Sequence, residues 1–239
     1  MAALDKDTLQ TLRNVGTATL TMQMLKRGFR NVFIQDSKPL DPANCRFAAE
    51  AYTLRFIPMR EDLSRPEVLG DPEYPPRKAI EDIPPGQVMV IDCRGDRRAG
   101  ALGDILATRL LARGCAAVVA DGPMRDAAAV AAVGLPVFCN GSAAPASITV
   151  HFGAGIGQPI ACGGVAVFPG DVLVGDTDGA VVIPRAIADE VARDSAEQEL
   201  LEAFLIQRVR DGHPTTGTYP PNEATLAAYD EWRAARDQS

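Results

Sequence analysis

Apolar residues recur along this chain with two different periods, and the period predicts where helices and strands lie. Between residues 5 and 27 they return every three or four positions, which predicts one helix that ends before Gly28. Residues 47–56 tend to alternate, which favours a strand. Residues 64–78 are rich in proline and charge, so we interpret them as an exposed loop or as an arm that flanks a binding site.

The clearest pattern lies between residues 88 and 139, where apolar runs alternate with helical periods. Val88–Asp92 is apolar up to its last residue, as expected for a strand buried on both faces. Gly114 and Gly134 end the two helices of this region. The predicted elements are a strand at 88–92, a helix at 104–113, a strand at 115–120, a helix at 126–133 and a strand at 135–139. This order predicts an α/β fold built on a parallel β-α-β-α-β unit with right-handed crossovers.

The second half of the chain is predicted to be rich in short strands. Glycine, proline and aspartate supply turns between apolar segments, and the predicted strands are 147–152, 159–161, 165–168, 172–175 and 180–183. A long helix follows from 184 to about 210, with Glu197, Glu199 and Glu202 on a solvated face. We expect one domain over 1–211 and a C-terminal tail over 212–239. The tail carries Trp232 in a helix over 223–236, which would dock on a neighbouring subunit or on its own chain.

Composition excludes several classes of protein. The net charge of −7 and the pI near 4.9 argue against non-specific nucleic-acid binding, which requires a basic surface. The five cysteines show no metal-binding or redox spacing, so we expect small buried hydrophobic residues and a cytoplasmic protein with reduced thiols. No apolar run reaches about 18 residues and the N-terminus lacks an apolar signal region, which predicts no membrane association.

Two carboxylates and a guanidinium are predicted to meet at the ligand-binding edge of the parallel sheet. Asp104 would start the first helix and Asp126 the second, with Arg125 just before it, at the carboxyl ends of the strands where α/β proteins bind ligands. The free amides of the first helix, from Gly103 to Leu106, attract anions, and an arginine binds a carboxylate or 2-oxo oxygen. Mg²⁺ prefers one or two carboxylates and several waters. Asp126 would suit it, with Asp104 and Asp121 close by.

Simpler interpretations compete with this site. Asp104 and Asp126 could be helix N-caps alone, because aspartate is favoured at that position. His151 is expected to be a core or interface residue, and Asp171, Asp176 and Asp178 are expected to serve turns. The glycines at 153, 155 and 157 do not form a dinucleotide loop, because the residues after them resume a strand rather than opening a helix.

The segment from Gly103 to Asp126 resembles the family of 4-hydroxy-4-methyl-2-oxoglutarate aldolases and the regulator of ribonuclease activity A (RraA). An aspartate is followed after twenty residues by Arg125 and Asp126, and this spacing matches the aldolase branch. The glycines at 163 and 164 and the segment 169–179 also look like the family's second half. The similarity extends over roughly residues 10 to 205.

This resemblance implies a fold, an activity and residue roles. The fold is a swivelling-domain α/β/β sandwich, assembled as homotrimers or homohexamers with sites between subunits. The activity is a Mg²⁺- or Mn²⁺-dependent class II aldolase that splits a small 2-oxo acid and releases pyruvate, often with oxaloacetate decarboxylase activity. Gly103, Asp104, Ile105, Leu106 and Arg125 would bind the substrate, with Asp104 and Arg125 catalytic. Asp126 would bind the metal, and Asp104 would hold a water on it.

Two other functions stay open. A non-catalytic regulator would bind a ribonuclease through an oligomer surface, but in such proteins the final aspartate of the motif is commonly replaced, so Asp126 favours an enzyme. A hydrolase of a 2,4-dioxo acid could use the same metal site. The 64–78 segment and the long tail depart from the family pattern, which leaves the substrate undefined.

Overall fold

The N-terminal region forms two helices in the computed structural model, which describes residues 4–237. The prediction of one helix over 5–27 is therefore wrong: α1 (Lys6–Asn14) ends before Gly16, and α2 (Thr17–Lys26) begins after it. The amide of Gly16 donates to Oε1 of Glu199 at 2.9 Å. The amide of Thr17 donates to Oδ2 of Asp176 at 2.8 Å. Distant side chains thus satisfy the amides at the break, which local periodicity does not reveal.

The other elements largely follow the predicted order. In chain order they are β1 (Lys38–Pro39), β2 (Phe47–Pro58), α3 (Pro75–Asp82), β3 (Val88–Asp92), α4 (Asp104–Ala112), β4 (Ala117–Ala120), α5 (Ala127–Ala132), β5 (Val137–Cys139), β6 (His151–Ile156), β7 (Ile160–Cys162), β8 (Val165–Val167), β9 (Val172–Gly175), β10 (Ala180–Ile183), α6 (Ala188–Arg210) and α7 (Glu223–Asp237). The strand predicted over 147–152 begins only at His151, because 147–149 form a 3₁₀ turn. No helix among residues 4–237 is long and apolar enough to cross a membrane.

A mixed sheet of eight strands organises the molecule. Strands β2, β3, β4 and β5 are parallel to one another, which confirms the predicted β-α-β-α-β unit and adds β2 to it. The strand order is β1-β5-β4-β3-β2-β9-β10, and β6 also pairs with β2. The long strand β2 pairs antiparallel with β9 through its first residues and with β6 through its last. The sheet therefore curls, and β6 is carried to the carboxyl edge of the parallel strands.

Apolar residues pack on both faces of the parallel strands, as an α/β/β sandwich requires. One face contacts helices α3, α4 and α5, with Ile80, Leu110 and Val130 among the buried residues. The other face packs against β9, β10 and the hairpin formed by β7 and β8. Helices α1, α2 and α6 then cover the outer side of β9 and β10. This layering confirms the α/β class and places the helix starts at one edge.

Helix α3 replaces part of the loop predicted over 64–78. Two prolines occupy its first turn at Pro75 and Pro76, where a missing amide costs nothing and the fixed φ suits a helix. Ala79 and Ile80 are buried against the sheet. The preceding residues up to Glu73 remain an arm, with one short 3₁₀ turn at Pro66–Gly70. Proline thus begins a helix here, although its density in the sequence suggested a loop.

The C-terminal tail packs on its own chain. Helix α7 lies against α6, where Phe204 contacts the rings of Tyr229 and Trp232 at centroid distances of 5.6 and 5.5 Å. The hydroxyl of Tyr229 donates to Glu197, so the glutamates of α6 do not form the simple solvated face that we expected. Docking of the tail on another subunit stays a prediction.

Candidate functional site

The loops that follow β3 and β4 leave the sheet at the same edge, and four residues from them come together on the helix side. We call Gly103, Asp104, Arg125 and Asp126 the exposed cluster. Gly103 precedes α4, which Asp104 begins, and Asp126 precedes α5 in a left-handed conformation with φ of 52°. A Cβ on Gly103 would lie 3.0 Å from Oδ2 of Asp126. The carboxylate therefore lies against the start of α4, as the sequence predicted.

A second glycine, which the sequence analysis missed, shapes the same corner. A Cβ on Gly100 would lie 2.5 Å from the backbone nitrogen of Arg125 and 2.4 Å from its Cγ. The amide of Arg125 donates to the carbonyl of Leu102 at 2.9 Å, which fixes the two loops side by side. Only a residue without a side chain fits at position 100. The presence of a glycine at position 100 does not by itself predict this contact, because Arg125 lies 25 residues further along the sequence.

Helix capping does not explain Asp126. Its side chain makes no capping hydrogen bond, and within residues 4–237 neither its carboxylate nor the guanidinium of Arg125 has a hydrogen-bond or ion-pair partner. Both side chains are exposed. An exposed carboxylate next to an exposed guanidinium, each without an intramolecular partner, can bind a cation and an anion respectively.

Asp104 has a partly local role. It is the first residue of α4 rather than its N-cap, and its Oδ1 accepts a hydrogen bond from the amide of Ile105 at 2.8 Å. That amide is therefore unavailable to a ligand unless Asp104 moves. The amides of Gly103, Asp104 and Leu106 find no acceptor in the described part of the chain. Anion binding at the start of α4 stays a prediction, for which three free amides are available instead of four.

The prediction that Asp121 helps to bind a metal is wrong. Its carboxylate is buried and accepts hydrogen bonds from the amides of Cys93, Gly95 and Gly163 at 2.6, 3.0 and 3.2 Å. Burial raises the pKa of Asp121 above its ordinary value of 3.8. Through these three hydrogen bonds the carboxylate connects the loop after β3 to the β7–β8 hairpin. It holds the scaffold of the site together.

Other polar groups on that side of the edge also have partners, and we call the buried residues Asp92, Asp121 and His151 the buried cluster. Asp92 accepts from the amide of Arg94 at 2.9 Å, and burial raises the pKa of Asp92. The guanidinium of Arg94 lies 3.1 Å from Nδ1 of His151, whose ring stacks on Phe56. Burial and the charge of Arg94 lower the pKa of His151 to about 4. His151 is a buried, neutral core residue, as predicted.

The remaining sequence candidates have structural roles. All five cysteines are buried free thiols. Asp171 accepts from the amide of Phe168, and Asp176 accepts from that of Asp178, so both serve turns. Gly153 contacts Pro76 so closely that a Cβ would lie 2.3 Å from its Cδ, which explains a glycine in β6 without a nucleotide.

The donors of the exposed cluster suit a metal that retains most of its water. Over the described range, no group of three or more histidine, cysteine, aspartate or glutamate side chains is placed to enclose an ion. Mg²⁺ instead accepts a single carboxylate and several waters. The free carboxylate of Asp126 could be that one protein ligand.

A cavity of about 540 Å³ opens beside the start of α4. Ile105 and Leu106 line one wall, and the arm and helix α3 line the others. Ile105 is 79% exposed, although it is a large apolar residue at the site. A separate cavity of about 530 Å³ lies on the other side of the edge, next to Asp92 and Asp121. Only the first cavity adjoins the predicted substrate residues.

Comparison with known proteins gives a consistent family match. The family model described as RraA-like, Aldolase/RraA, matches residues 17–182, which include the whole exposed cluster. A protein of Halalkalibacterium halodurans, provisionally named a 4-hydroxy-4-methyl-2-oxoglutarate aldolase, is 38% identical over 122 residues, covering 51% of this chain and 58% of that protein. A 4-hydroxy-4-methyl-2-oxoglutarate aldolase of Thermus thermophilus is 34% identical over 110 residues, covering 46% and 66%. The matches therefore span less than two thirds of either relative.

A solved structure is similar over most of the chain. Streptomyces coelicolor RraAS2, described as an unusual member of the RNase ES inhibitor RraA protein family, has a TM-score of 0.75 and 32% identity. The match covers 85% of this chain and 98% of that one. These three relatives thus carry names of two kinds, aldolase and ribonuclease inhibitor.

Proposed function

Since the chain belongs to the RraA-like aldolase/RraA family, we propose that it is a divalent-metal-dependent lyase that cleaves a 4-hydroxy-2-oxo acid and releases pyruvate. Oxaloacetate decarboxylation is a second reaction proposed for the same site. One observation carries the proposal: Asp126 and Arg125 present charged groups without protein partners beside the free amides of α4. A regulator that only binds another protein has no need of that arrangement.

Mg²⁺ or Mn²⁺ is the proposed cofactor, held by Asp126. When bound, the ion would supply Lewis-acid stabilisation of the negative charge that develops on the 2-oxo oxygen. Asp104, the first residue of α4, has one carboxylate oxygen engaged with the amide of Ile105. Its other oxygen is available to orient water.

The residues of the exposed cluster would bind the substrate, stabilise the enolate and transfer the proton. The amides of α4 and the guanidinium of Arg125 would bind the substrate carboxylate and 2-oxo oxygen, as helix starts and arginines do with anions. Breaking the C3–C4 bond leaves its electron pair on the pyruvyl half as an enolate, which Arg125 helps to stabilise. The 4-hydroxyl loses its proton as the second carbonyl forms, and the enolate takes a proton at C3. Asp104 is the proposed group that receives the hydroxyl proton through water.

A neighbouring subunit is proposed to cover the exposed side of the site. Arg125 and Asp126 are exposed in the single chain, and Ile105 offers an apolar surface beside them. A homotrimer or homohexamer would exclude bulk water there and strengthen the charge interactions. The small 2-oxo acid is then the only partner that the reaction itself requires.

The test measures pyruvate release from oxaloacetate and from 4-hydroxy-4-methyl-2-oxoglutarate, with Mg²⁺ and with a chelator. We expect turnover that the chelator abolishes, and a loss of about 10³-fold or more in kcat/KM for Asp126→Ala, comparable to removal of a catalytic electrostatic group. Asp178→Ala is the matched control, because Asp178 is an exposed aspartate in the β9–β10 turn.

Two outcomes would contradict different parts of the proposal. Absence of metal-dependent turnover on every 2-oxo acid tried would reject the enzyme. Full activity of Asp126→Ala would reject the metal assignment alone. Release of a carboxylic acid together with pyruvate from a 2,4-dioxo acid would instead identify the hydrolase.

The similarity to RraAS2 supports a second candidate, a ribonuclease-binding regulator. Its test is inhibition of a purified RNase E-type enzyme by this protein, measured in parallel for the wild type and for Asp126→Ala. Equal inhibition by both, without turnover of any 2-oxo acid, would favour the regulator.

A further inference from the structure

The cavity beside α4 extends the proposed substrate site toward the arm and α3. Its lining includes the site residues Ile105 and Leu106, the arm from Leu69 to Glu73, and Arg77 of α3. Helix α3 is held in place at its N-terminus, since the amide of Gly153 donates to the hydroxyl of Tyr74 at 3.0 Å. The arm is thus anchored to the scaffold on the far side of the substrate site.

The relative position of α3 and α4 brings Arg77 level with the start of α4. Both helices connect parallel strands in the same direction, β2 to β3 and β3 to β4, so the helices run parallel to each other. Glu81 of α3 accepts a hydrogen bond from Arg109 of α4 at 2.6 Å, which fixes their register. Arg77 lies one turn before Glu81, and Ile105 lies one turn before Arg109. Arg77 and Ile105 therefore occupy the same level.

Arg77 is the cation of this cavity that has no partner among the described residues. Lys78 pairs with Glu73, and Arg109 pairs with Glu81. Two further carboxylates line the cavity. Oδ1 of Asp71 accepts from the backbone amide of Glu73, and Asp82 is exposed at the end of α3.

The position of Asp82 also separates it from Arg77. Asp82 lies one turn after Lys78, and the charges of Asp82 and Lys78 both act on the pKa of Tyr52 of β2. One-turn spacing places Asp82 on the Lys78 side of α3 and Glu81 on the Arg77 side. Arg77 is partly buried and, like Ile105 of α4, lines the cavity. A guanidinium held beside a positive helix start, without a carboxylate of its own, favours an anion between them.

We infer that Arg77 binds the distal acidic group of the substrate and makes this site selective for 2-oxo acids that carry a second carboxylate. The inference rests on the proposed function and assigns a specificity residue within it. The 2-oxo acid end would lie at Arg125 and the α4 amides, and the distal carboxylate would lie in the cavity under the arm. The arm and Arg77 thus select the substrate, while the exposed cluster performs the reaction.

The experiment compares two non-cleavable five-carbon ligands, 2-oxoglutarate and 2-oxopentanoate, which differ only in the distal carboxylate. Affinities are measured by calorimetry on the full chain with Mg²⁺. We expect Arg77→Met to weaken 2-oxoglutarate about 30-fold, as for loss of a hydrogen bond to a charged group. Binding of 2-oxopentanoate should change less than about threefold, because its neutral end never meets the arginine. Arg77→Lys should recover part of the loss, since it retains charge but not the planar fork.

Arg60→Met is the matched control, because it removes a positive charge that is paired with Asp62 and does not line the cavity. It should leave the ratio of the two affinities unchanged. Equal weakening of both ligands by Arg77→Met, no weakening of either, or no binding of 2-oxoglutarate by the wild type would overturn the inference. A wild type that binds 2-oxoglutarate through Arg77 but never releases pyruvate would refute the proposed lyase and leave the subsite in place.

Discussion

Asp121 and Asp126 follow the same strand five residues apart, yet their carboxylates are used in opposite ways. Asp121 is buried and accepts three backbone amides, and its pKa is raised by that burial. Asp126 is exposed and has no partner within residues 4–237. Both lie at the edge where ligands bind. The count of carboxylates at a sheet edge therefore does not identify a site, whereas an account of which oxygens are already bonded does.

The largest expected effect is a difference in the free energy of unfolding between the alanine variants of these two residues. Asp121→Ala leaves three buried amides without their acceptor and should lower the free energy of unfolding by about 3 kcal/mol or more. Asp126→Ala should leave stability almost unchanged, because nothing in the described fold depends on its carboxylate. Urea unfolding of both variants beside the wild type measures the difference. Similar losses for the two would mean that Asp126 is structural.

The buried cluster also predicts a pH dependence of stability. The pKa of His151 is lowered from 6.5 to about 4 in the fold, mainly by burial. Between these values the unfolded chain binds a proton that the folded chain does not, so stability falls as pH drops from 6.5 to about 4. One proton gives a slope of about 1.4 kcal/mol per pH unit.

Unfolding of His151→Gln over the same pH range provides the comparison. Its free energy of unfolding should lack this component, so the difference between wild type and variant should change with pH. A constant difference from pH 4 to 7 would show that His151 keeps its ordinary pKa.

The smallest expected effect probes the contact between the two loops of the exposed cluster. Gly103→Ala would bring a methyl group within 3.0 Å of Oδ2 of Asp126. The side chain must shift by a few tenths of an ångström, and we expect about a tenfold rise in the Mg²⁺ concentration needed for half-maximal turnover, since misplacement at a site is costly. Unchanged metal dependence would show that Asp126 and Gly103 act independently.

Periodicity predicted the fold wherever local sequence and packing agree. Val88–Asp92, Val172–Gly175 and Ala180–Ile183 are strands with the predicted bounds, because both faces of each are buried and the pattern has no competing period. It failed at Gly16, where Glu199 and Asp176 supply the partners that separate two helices. Residues so distant in the sequence leave no local periodic signal.

The candidate site divides in the same manner. Spacing along the chain, together with the family resemblance, was enough to bring Gly103, Arg125 and Asp126 to one edge, because parallel strands align their carboxyl ends. The role of Asp121 needed the fold, since its three donors come from separate loops. The role of Arg77 also needed the fold. Arg77 lies in a proline-rich segment that was interpreted as a loop, and only the register of α3 against α4 places it beside the cavity.

By itself, the sequence determined the α/β layering and the residues available for chemistry, because both follow from the order of apolar and polar positions. Only the tertiary structure decided which charged groups are already satisfied and which remain free. Hydrogen bonds depend on distances between atoms far apart in the chain, and folding alone fixes those distances. Asp121 and Asp126 are the same residue type on the same loop. Three backbone amides bond the carboxylate of Asp121, which makes it part of the scaffold, whereas none among the described residues bonds that of Asp126, which stays free for the candidate site.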